Sequence, residues 1–515
     1  MKIAVIGSGL ASFACCNVLT KNNFFPDVFD IGDDLDLEQK EIKGKIKKFI
    51  EKKKRVVAGD GNKDALASIL DTLLQQKSLE YPKKKYFGSE KLYNYINKSL
   101  IYNNPSYSSN FGGFGKVWSA SALFPDKKDL TAWPDFSIPN VDLYKKYFKD
   151  LNYSSREDNL EKIFAKLSDH SNFIKHHECI ETLQDRISKI NSNHFISGFS
   201  KIFLSTVGDN KCKYCGLCMT GCIYNSIFDP SIEFKKLIEK KKISYFKNFE
   251  LVRLNKLDKK IELLFSNERK FQYDKVFLAA GALSTTKIIM NSFKKIKEVK
   301  IIHATGFVIP LLSLKSYNFK WPSRNTLSQI FIEIKNKDIH NWVHCQLSQP
   351  NELVMHKIGF FKITNKWIKK IYYQILQRLF TINVAYHSNY GGYYKLSLDN
   401  RNIKVTYFEN INKKFYNYSI YKTIMKKLNK LGIYSSKLIV NHGKNSDHYY
   451  IGGSFPMKKK QSEIIHSDQY GQLKDIKNLH IVDSSTFPSI PATTFGLLSM
   501  LNSASITEKV IKQLK

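Results

Sequence analysis

Short apolar runs recur toward both ends of this chain. Ile3-Ala4-Val5-Ile6 opens it, Val28-Phe29 follows, and Lys275-Val276-Phe277-Leu278 and Leu479-His480-Ile481-Val482 come late. Continuous rather than alternating apolarity predicts strands covered on both faces, as in a parallel sheet flanked by helices. Between the first two runs, Leu10, Phe13, Ala14 and Val18 repeat at helical spacing. The stretch from Asp33 to Arg55 is the most polar, and with Gly59-Asp60-Gly61-Asn62 it reads as helix then loop. Helical spacing returns from Asp64 to Leu74, with Ala65, Ile69, Leu70 and Leu73 on one face. Between about 300 and 440 the pattern changes to short strands with interspersed helices, Lys404-Val405-Thr406-Tyr407 among them. No fixed-period repeat and no Pro-, Gly- or Ser-rich linker interrupts the chain.

The length of 515 residues, 43% of them hydrophobic, predicts a large core and more than one domain. A formal charge of +35 points first to nucleic acid or an anionic membrane, but only 8 of the 81 basic residues are Arg. Arg is the side chain best shaped for bidentate phosphate recognition, so nucleic acid is not expected. Abundant Lys, Asn, Ile and Tyr also fit the composition bias of an AT-rich genome. No apolar run reaches the ~20 residues needed to span a bilayer. The segment from Trp367 to Val384 is read first as a helix packed on the protein's own core and second as a peripheral membrane contact. A strand beginning beside Met1 argues against a secretory signal, and eight cysteines in so long a chain do not make a disulfide scaffold, so a cytoplasmic setting is expected.

The opening run leads into Gly7-Ser8-Gly9-Leu10-Ala11-Ser12, a Gly-x-Gly-x-x-Ser turn before the first helix. Gly7 permits the tight turn, and Gly9 lets backbone N–H groups reach a pyrophosphate at the positive end of the helix. Ser12 takes the third, small-residue position. Asp30 ends the second strand, 21 residues after Gly9, close to the spacing of a ribose-binding carboxylate. Strand, turn, helix, strand and acid in register predict a dinucleotide site.

Further blocks resemble the glucose-methanol-choline (GMC) family of FAD-dependent oxidoreductases. Asp30-Ile31-Gly32 is similar to the end of the family's second strand, and Gly112-Gly113-Phe114-Gly115-Lys116-Val117-Trp118-Ser119 to the loop that lies along the flavin and its phosphates. Trp133-Pro134 with Asp142-Leu143-Tyr144 and Tyr147 resembles the helix that follows. Val276-Phe277-Leu278-Ala279-Ala280-Gly281-Ala282-Leu283-Ser284-Thr285 resembles the strand and turn that return to the nucleotide sheet. Asn478 to Pro488 resembles the closing strand, whose Asp, here Asp483, sits near the ribityl chain, before a long helix starting near Thr494. The resemblance implies an α/β fold with a discontinuous Rossmann-like FAD domain (1–35, 85–125, 206–300 and 440–515). A mixed sheet and helix substrate domain (126–205 and 301–439) and a helical insertion (36–84) complete the expected layout. It also implies non-covalent FAD, because the position where some relatives attach flavin through His is Val117.

Oxidising an alcohol requires a base for the hydroxyl proton. The family's base, a His just before a Gly-Gly or Gly-Thr segment, corresponds to His448, four residues before Gly452 where the family spacing is three and Tyr449 stands. The family's second catalytic position falls on Thr494, which can hydrogen-bond but cannot act as a base at neutral pH. The family Arg before Met is replaced by Pro456. His442 is a second candidate, and Tyr449 and Tyr450 are expected to line the pocket. The expected substrate is a small-molecule or glycan alcohol (sugar, polyol or lipid alcohol) and the electron acceptor is open. The alternative is a flavin-binding protein without turnover that serves electron transfer or assembly.

Cys212, Cys215, Cys218 and Cys222 form C-x2-C-x2-C-x3-C, the spacing of bacterial ferredoxin loops. Ile223 replaces the Pro usual there, and no second run is present. An iron–sulfur cluster, a thiol-rich structural loop and a zinc site all fit. Cys15, Cys16, Cys179 and Cys345 are expected as buried thiols.

Overall fold

The computed structural model describes residues 1–34, 106–116, 118–168, 172–218, 222–317, 325–351, 363–399, 402–442, 450–493 and 495–515, with isolated positions elsewhere. The expected insertion at 36–84 therefore lies almost wholly outside the described residues.

Five parallel strands form the nucleotide-type sheet, in the order Leu479–Ile481, Lys275–Leu278, β1 (Ile3–Ile6), β2 (Asp27–Asp30) and Ser244–Lys247. β1 is central, and all four of its residues are buried. Its neighbours continue it on both sides, Ile6 standing opposite both Leu278 and Phe29. One face is covered by helix α1 (Leu10–Lys21) and the closing helix Phe495–Leu514, whose Ser503 hydroxyl donates to the Ala11 carbonyl at 2.6 Å. The other face packs on helix Ala282–Ser292 and the three-stranded sheet Leu251–Lys256, Ile261–Phe265 and Lys270–Tyr273. Burial on both faces is why the four inner and neighbouring runs read as apolar, whereas the edge strand Ser244–Lys247, Ser-Tyr-Phe-Lys with exposed ends, does not.

The middle of the chain builds a six-stranded antiparallel sheet, in the order Ile433–Tyr434, Thr305–Ser313, Leu379–Tyr386, Ile339–Ser348, Ile330–Asn336 and Phe195–Phe199. One face of it packs on a core of its own, while Ile196, Phe331 and Trp342 on the other join the core that also holds Ile3 and Val5 of the nucleotide sheet. Strand Asn402–Phe408 joins a different sheet, with Tyr393–Asp399, Glu298–His303 and Ile451–Gly452. Ile403 and Val405 there pack into the nucleotide-side core, so this stretch sits with the nucleotide half rather than with its sequence neighbours. Helix Val141–Phe148 likewise packs with α1 and the closing helix.

Residues 366–386 are not one helix. Helix Lys366–Leu376 ends at Gln377, and strand Leu379–Tyr386 follows. The expectation that this helix packs on the core is corrected: Leu376 alone in it is buried, and Tyr373 is partly buried against the core, while the apolar stripe faces outward.

Candidate functional site

Four of the five parallel strands deliver the sequence-predicted residues at their carboxyl ends. Gly7-Ser8-Gly9 follows β1, Asp30 closes β2, Ala280-Gly281 follows Lys275–Leu278, and Asp483 follows Leu479–Ile481. Carboxyl ends of adjacent parallel strands are where open α/β sheets hold their ligands. One cavity runs along them, lined by Gly7, Gly9, Asp30, Gly113, Ala280, Gly281 and Asp483, with Phe495 and Ser499 of the closing helix at one side and Phe249, Glu250 and Lys287 at another.

The turn after β1 is shaped as an anion cradle. Gly7 has φ +100°, and a Cβ there would stand 2.6 Å from the Ala279 carbonyl oxygen, so no larger residue fits. Gly9 caps α1 without any side-chain hydrogen bond, leaving the first-turn N–H groups of the helix without a capping side chain. A Cβ on Gly9 would meet nothing within 4 Å, which is open space at the cavity wall. Gly113 crosses close over this turn, its own Cβ position lying 3.3 Å from the Gly9 Cα. These features fit the pyrophosphate of a dinucleotide.

Ser8 organises the acid end. It donates to the Asp30 carboxylate and accepts from the Gly112 N–H at 2.8 Å, while the Tyr245 hydroxyl also donates to Asp30 at 3.1 Å. Burial pushes the Asp30 carboxyl up to about 7 despite these two donors. Gly112 thus ties its loop to the turn rather than lining the cavity. Asp483 accepts from the Gly281 N–H at 2.9 Å, the Thr285 hydroxyl at 2.5 Å and the Ser485 N–H at 2.9 Å. Burial raises its carboxyl above the ordinary range. Asp483 therefore clamps the turn before helix Ala282–Ser292 to the closing segment.

Other predicted positions fall elsewhere. Ser12 is fully buried, its hydroxyl donating to the Gly7 carbonyl at 2.6 Å, a contact that holds the turn from beneath. Trp118 is not among the cavity-lining residues: it packs against Gly496 and donates to the Phe228 carbonyl at 2.8 Å. His448, Tyr449 and Thr494 lie outside the described residues, as does Val117. Tyr450 stacks on Phe495 at 5.2 Å between ring centroids, against the start of the closing helix. His442 is paired with Asn417 at 2.9 Å and does not line the cavity. Ser8, Tyr245 and Lys287 were not legible as site residues. Tyr245 stands more than 200 positions from Asp30 and reaches it through the strand order, while Lys287 lines the cavity from helix Ala282–Ser292 beside Glu250.

The four clustered cysteines line one small cavity with Leu204, Leu217 and Ile227. Cys222 Sγ accepts from the Ser226 N–H at 3.1 Å and Cys218 Sγ from the Thr326 N–H at 3.4 Å. Burial first, and the neighbouring Cys222 after it, raise the Cys212 thiol. Among the described residues no group of three or more His, Cys, Asp or Glu is arranged to hold a metal ion, so the iron–sulfur reading has no support beyond the spacing. Cys15, Cys16, Cys179 and Cys345 are buried, and burial pushes the Cys15 thiol up to about 12.

No family model and no curated protein matches the sequence. The fold matches solved structures over its whole length. Pyridoxine 4-oxidase from Mesorbium loti is similar with a TM-score of 0.57 at 11% identity, covering 99% of each chain. A fungal aryl-alcohol oxidase is similar with a TM-score of 0.55 at 9% identity, covering 100% of this chain and 99% of the other. The chain is a mixed α/β protein built around a parallel dinucleotide-type sheet. Its particular architecture is the fold shared with these two solved structures.

Proposed function

We propose that this chain is an FAD-dependent oxidoreductase that oxidises a CH–OH group. The observation that carries the reading is the convergence of the uncapped α1 turn, Asp30, Gly281 and Asp483 on one cavity at the carboxyl ends of adjacent parallel strands. Two solved structures of similar fold are named pyridoxine 4-oxidase and aryl-alcohol oxidase, and the alcohol in the second name supports an alcohol as substrate.

FAD, when bound, supplies the two-electron acceptor. The α1 turn and Gly113 would hold its pyrophosphate, Asp30 its ribose hydroxyls, and the Ala280-Gly281 turn with the start of the closing helix its flavin end. His448 would take the substrate hydroxyl proton, a role assigned from sequence, and Thr494 would orient the substrate by a hydrogen bond. The cytoplasm is the proposed setting. An iron–sulfur cluster at Cys212, Cys215, Cys218 and Cys222 would add a one-electron exit and rests on spacing alone.

The test is product analysis. Protein loaded with FAD is incubated with aromatic, sugar, polyol and lipid alcohols, and the matching carbonyl product is expected from at least one class. Bound FAD with no carbonyl from any of them would favour flavin binding without turnover.

A further inference from the structure

We infer that helix Lys366–Leu376 and the sheet corner beside it form a docking face for an anionic membrane surface. The helix is amphipathic in the reverse of the usual sense. Trp367, Ile368, Ile371, Tyr372 and Ile375 form one stripe at helical spacing, and their exposures run from 37% for Tyr372 to 77% for Trp367. The opposite side holds the helix to the protein through buried Leu376 and partly buried Tyr373. The element is well anchored: the Asn365 side chain caps it by accepting from the Trp367 and Ile368 N–H groups, and at its far end the Arg378 guanidinium donates to the Leu314 carbonyl.

Backbone pairing brings more exposed apolar residues to the same corner. Ser313 N–H donates to the Arg378 carbonyl at 2.8 Å and Tyr317 N–H to the Gln377 carbonyl at 2.9 Å. Leu312 stands opposite both Leu379 and Tyr434 in the sheet. Leu312, Leu314 and Tyr434 are exposed, and Leu438 and Ile439 extend the edge further. A run of outward Trp, Ile, Leu and Tyr of this kind is not the ordinary scatter of single surface hydrophobes.

Charge selects the occupant. Segments 312–317, 363–379 and 430–440 carry Lys315, Lys366, Lys369, Lys370, Arg378, Lys430 and Lys437, and no Asp or Glu. Cations flanking an apolar stripe with a Trp are the arrangement by which a helix lies in the headgroup region of anionic lipid. The Lys370 ammonium stands over the Trp367 ring, 5.8 Å from its centroid, so a cation sits directly beside the apolar stripe. A second copy would set two such cationic faces together with no acid between them. The face lies on a membrane and does not cross it, since no helix among the described residues is long and apolar enough to span one.

This inference is independent of the flavin reading, and its test uses no turnover. The full chain is sedimented with phosphatidylcholine vesicles, with and without added phosphatidylglycerol. Binding is expected to the anionic vesicles, to weaken as salt is raised, and to be accompanied by a blue shift of Trp emission that Trp367→Phe diminishes. The double variant Ile368→Glu with Ile371→Glu, at exposed positions, is expected to keep the parent's thermal midpoint and to bind at least about tenfold more weakly. Three results would each overturn the proposal: a parent that ignores anionic vesicles, a folded double variant that binds as the parent does, or a parent dimer that the double variant dissociates without any vesicle binding.

Discussion

Substituting Gly9 by Ala separates cofactor recognition from folding, because the structure assigns the two glycines of the first turn different duties. At Gly9 the backbone is ordinary, with φ −73°, and a new Cβ meets no protein atom within 4 Å. Its only protein-side cost is at the helix cap, about 1 kcal/mol or less. The methyl group would instead occupy cavity space from which a pyrophosphate reaches the first-turn N–H groups. Losing one hydrogen bond to a charged group costs about 1.5–3 kcal/mol, so FAD should bind about 10- to 150-fold more weakly. At Gly7 the opposite holds: φ +100° and a 2.6 Å approach to the Ala279 oxygen mean that Ala damages the fold itself. Titrating apoprotein with FAD by fluorescence, alongside thermal unfolding without FAD, reads both. Gly9→Ala should lose affinity with its apo midpoint nearly unchanged, whereas Gly7→Ala should lower the apo midpoint. A Gly9→Ala protein that binds FAD within twofold of the parent would refute the placement of the pyrophosphate at this turn.

Other outcomes follow from the same geometry. Asp30, held up to about 7 in the folded chain, must be ionised to accept two ribose hydroxyls, so FAD affinity should fall as pH drops below about 7, and Asp30→Asn should flatten that profile. The unfolded chain gives up this proton near 4 and the folded apoprotein only near 7, so this group makes apo stability fall as pH rises between those values; an apo midpoint that does not respond to Asp30→Asn across that window would count against it. Acid precipitation should release all flavin to the supernatant, because Val117 offers no nucleophile; flavin retained in the washed pellet would contradict non-covalent binding. Anaerobically prepared protein assayed for iron and acid-labile sulfide, with Cys218→Ser beside it, decides the cysteine loop: stoichiometric iron lost in the variant supports a cluster, and iron-free protein leaves a thiol loop.

Four of the five parallel strands were legible because burial on both faces writes itself as apolar runs, the turn after β1 and Asp30 were legible from their spacing, and Ala280-Gly281 and Asp483 from the family resemblance. The long closing helix, Phe495–Leu514, was expected from the family resemblance of the segment before it, and it forms where that resemblance implied. What the sequence hides is adjacency across hundreds of residues. Tyr245 reaches Asp30 only because strand Ser244–Lys247 lies beside β2. Strand Asn402–Phe408 reads like its sequence neighbours, yet it pairs into a sheet on the nucleotide side. Helix Lys366–Leu376 shows the limit of periodicity: spacing reveals that an apolar stripe exists, and only the surrounding contacts show that it faces outward.

The most direct test of the central claim is anaerobic mixing of the FAD-loaded protein with an alcohol, following the yellow flavin band, with His448→Ala run in parallel. An alcohol oxidant with His448 as its base predicts bleaching of the bound flavin by substrate alone, slowed at least about 100-fold in the variant while FAD content stays normal. Bound flavin that no alcohol bleaches would contradict alcohol oxidation, and bleaching at the parent rate in His448→Ala would contradict the assignment of the base.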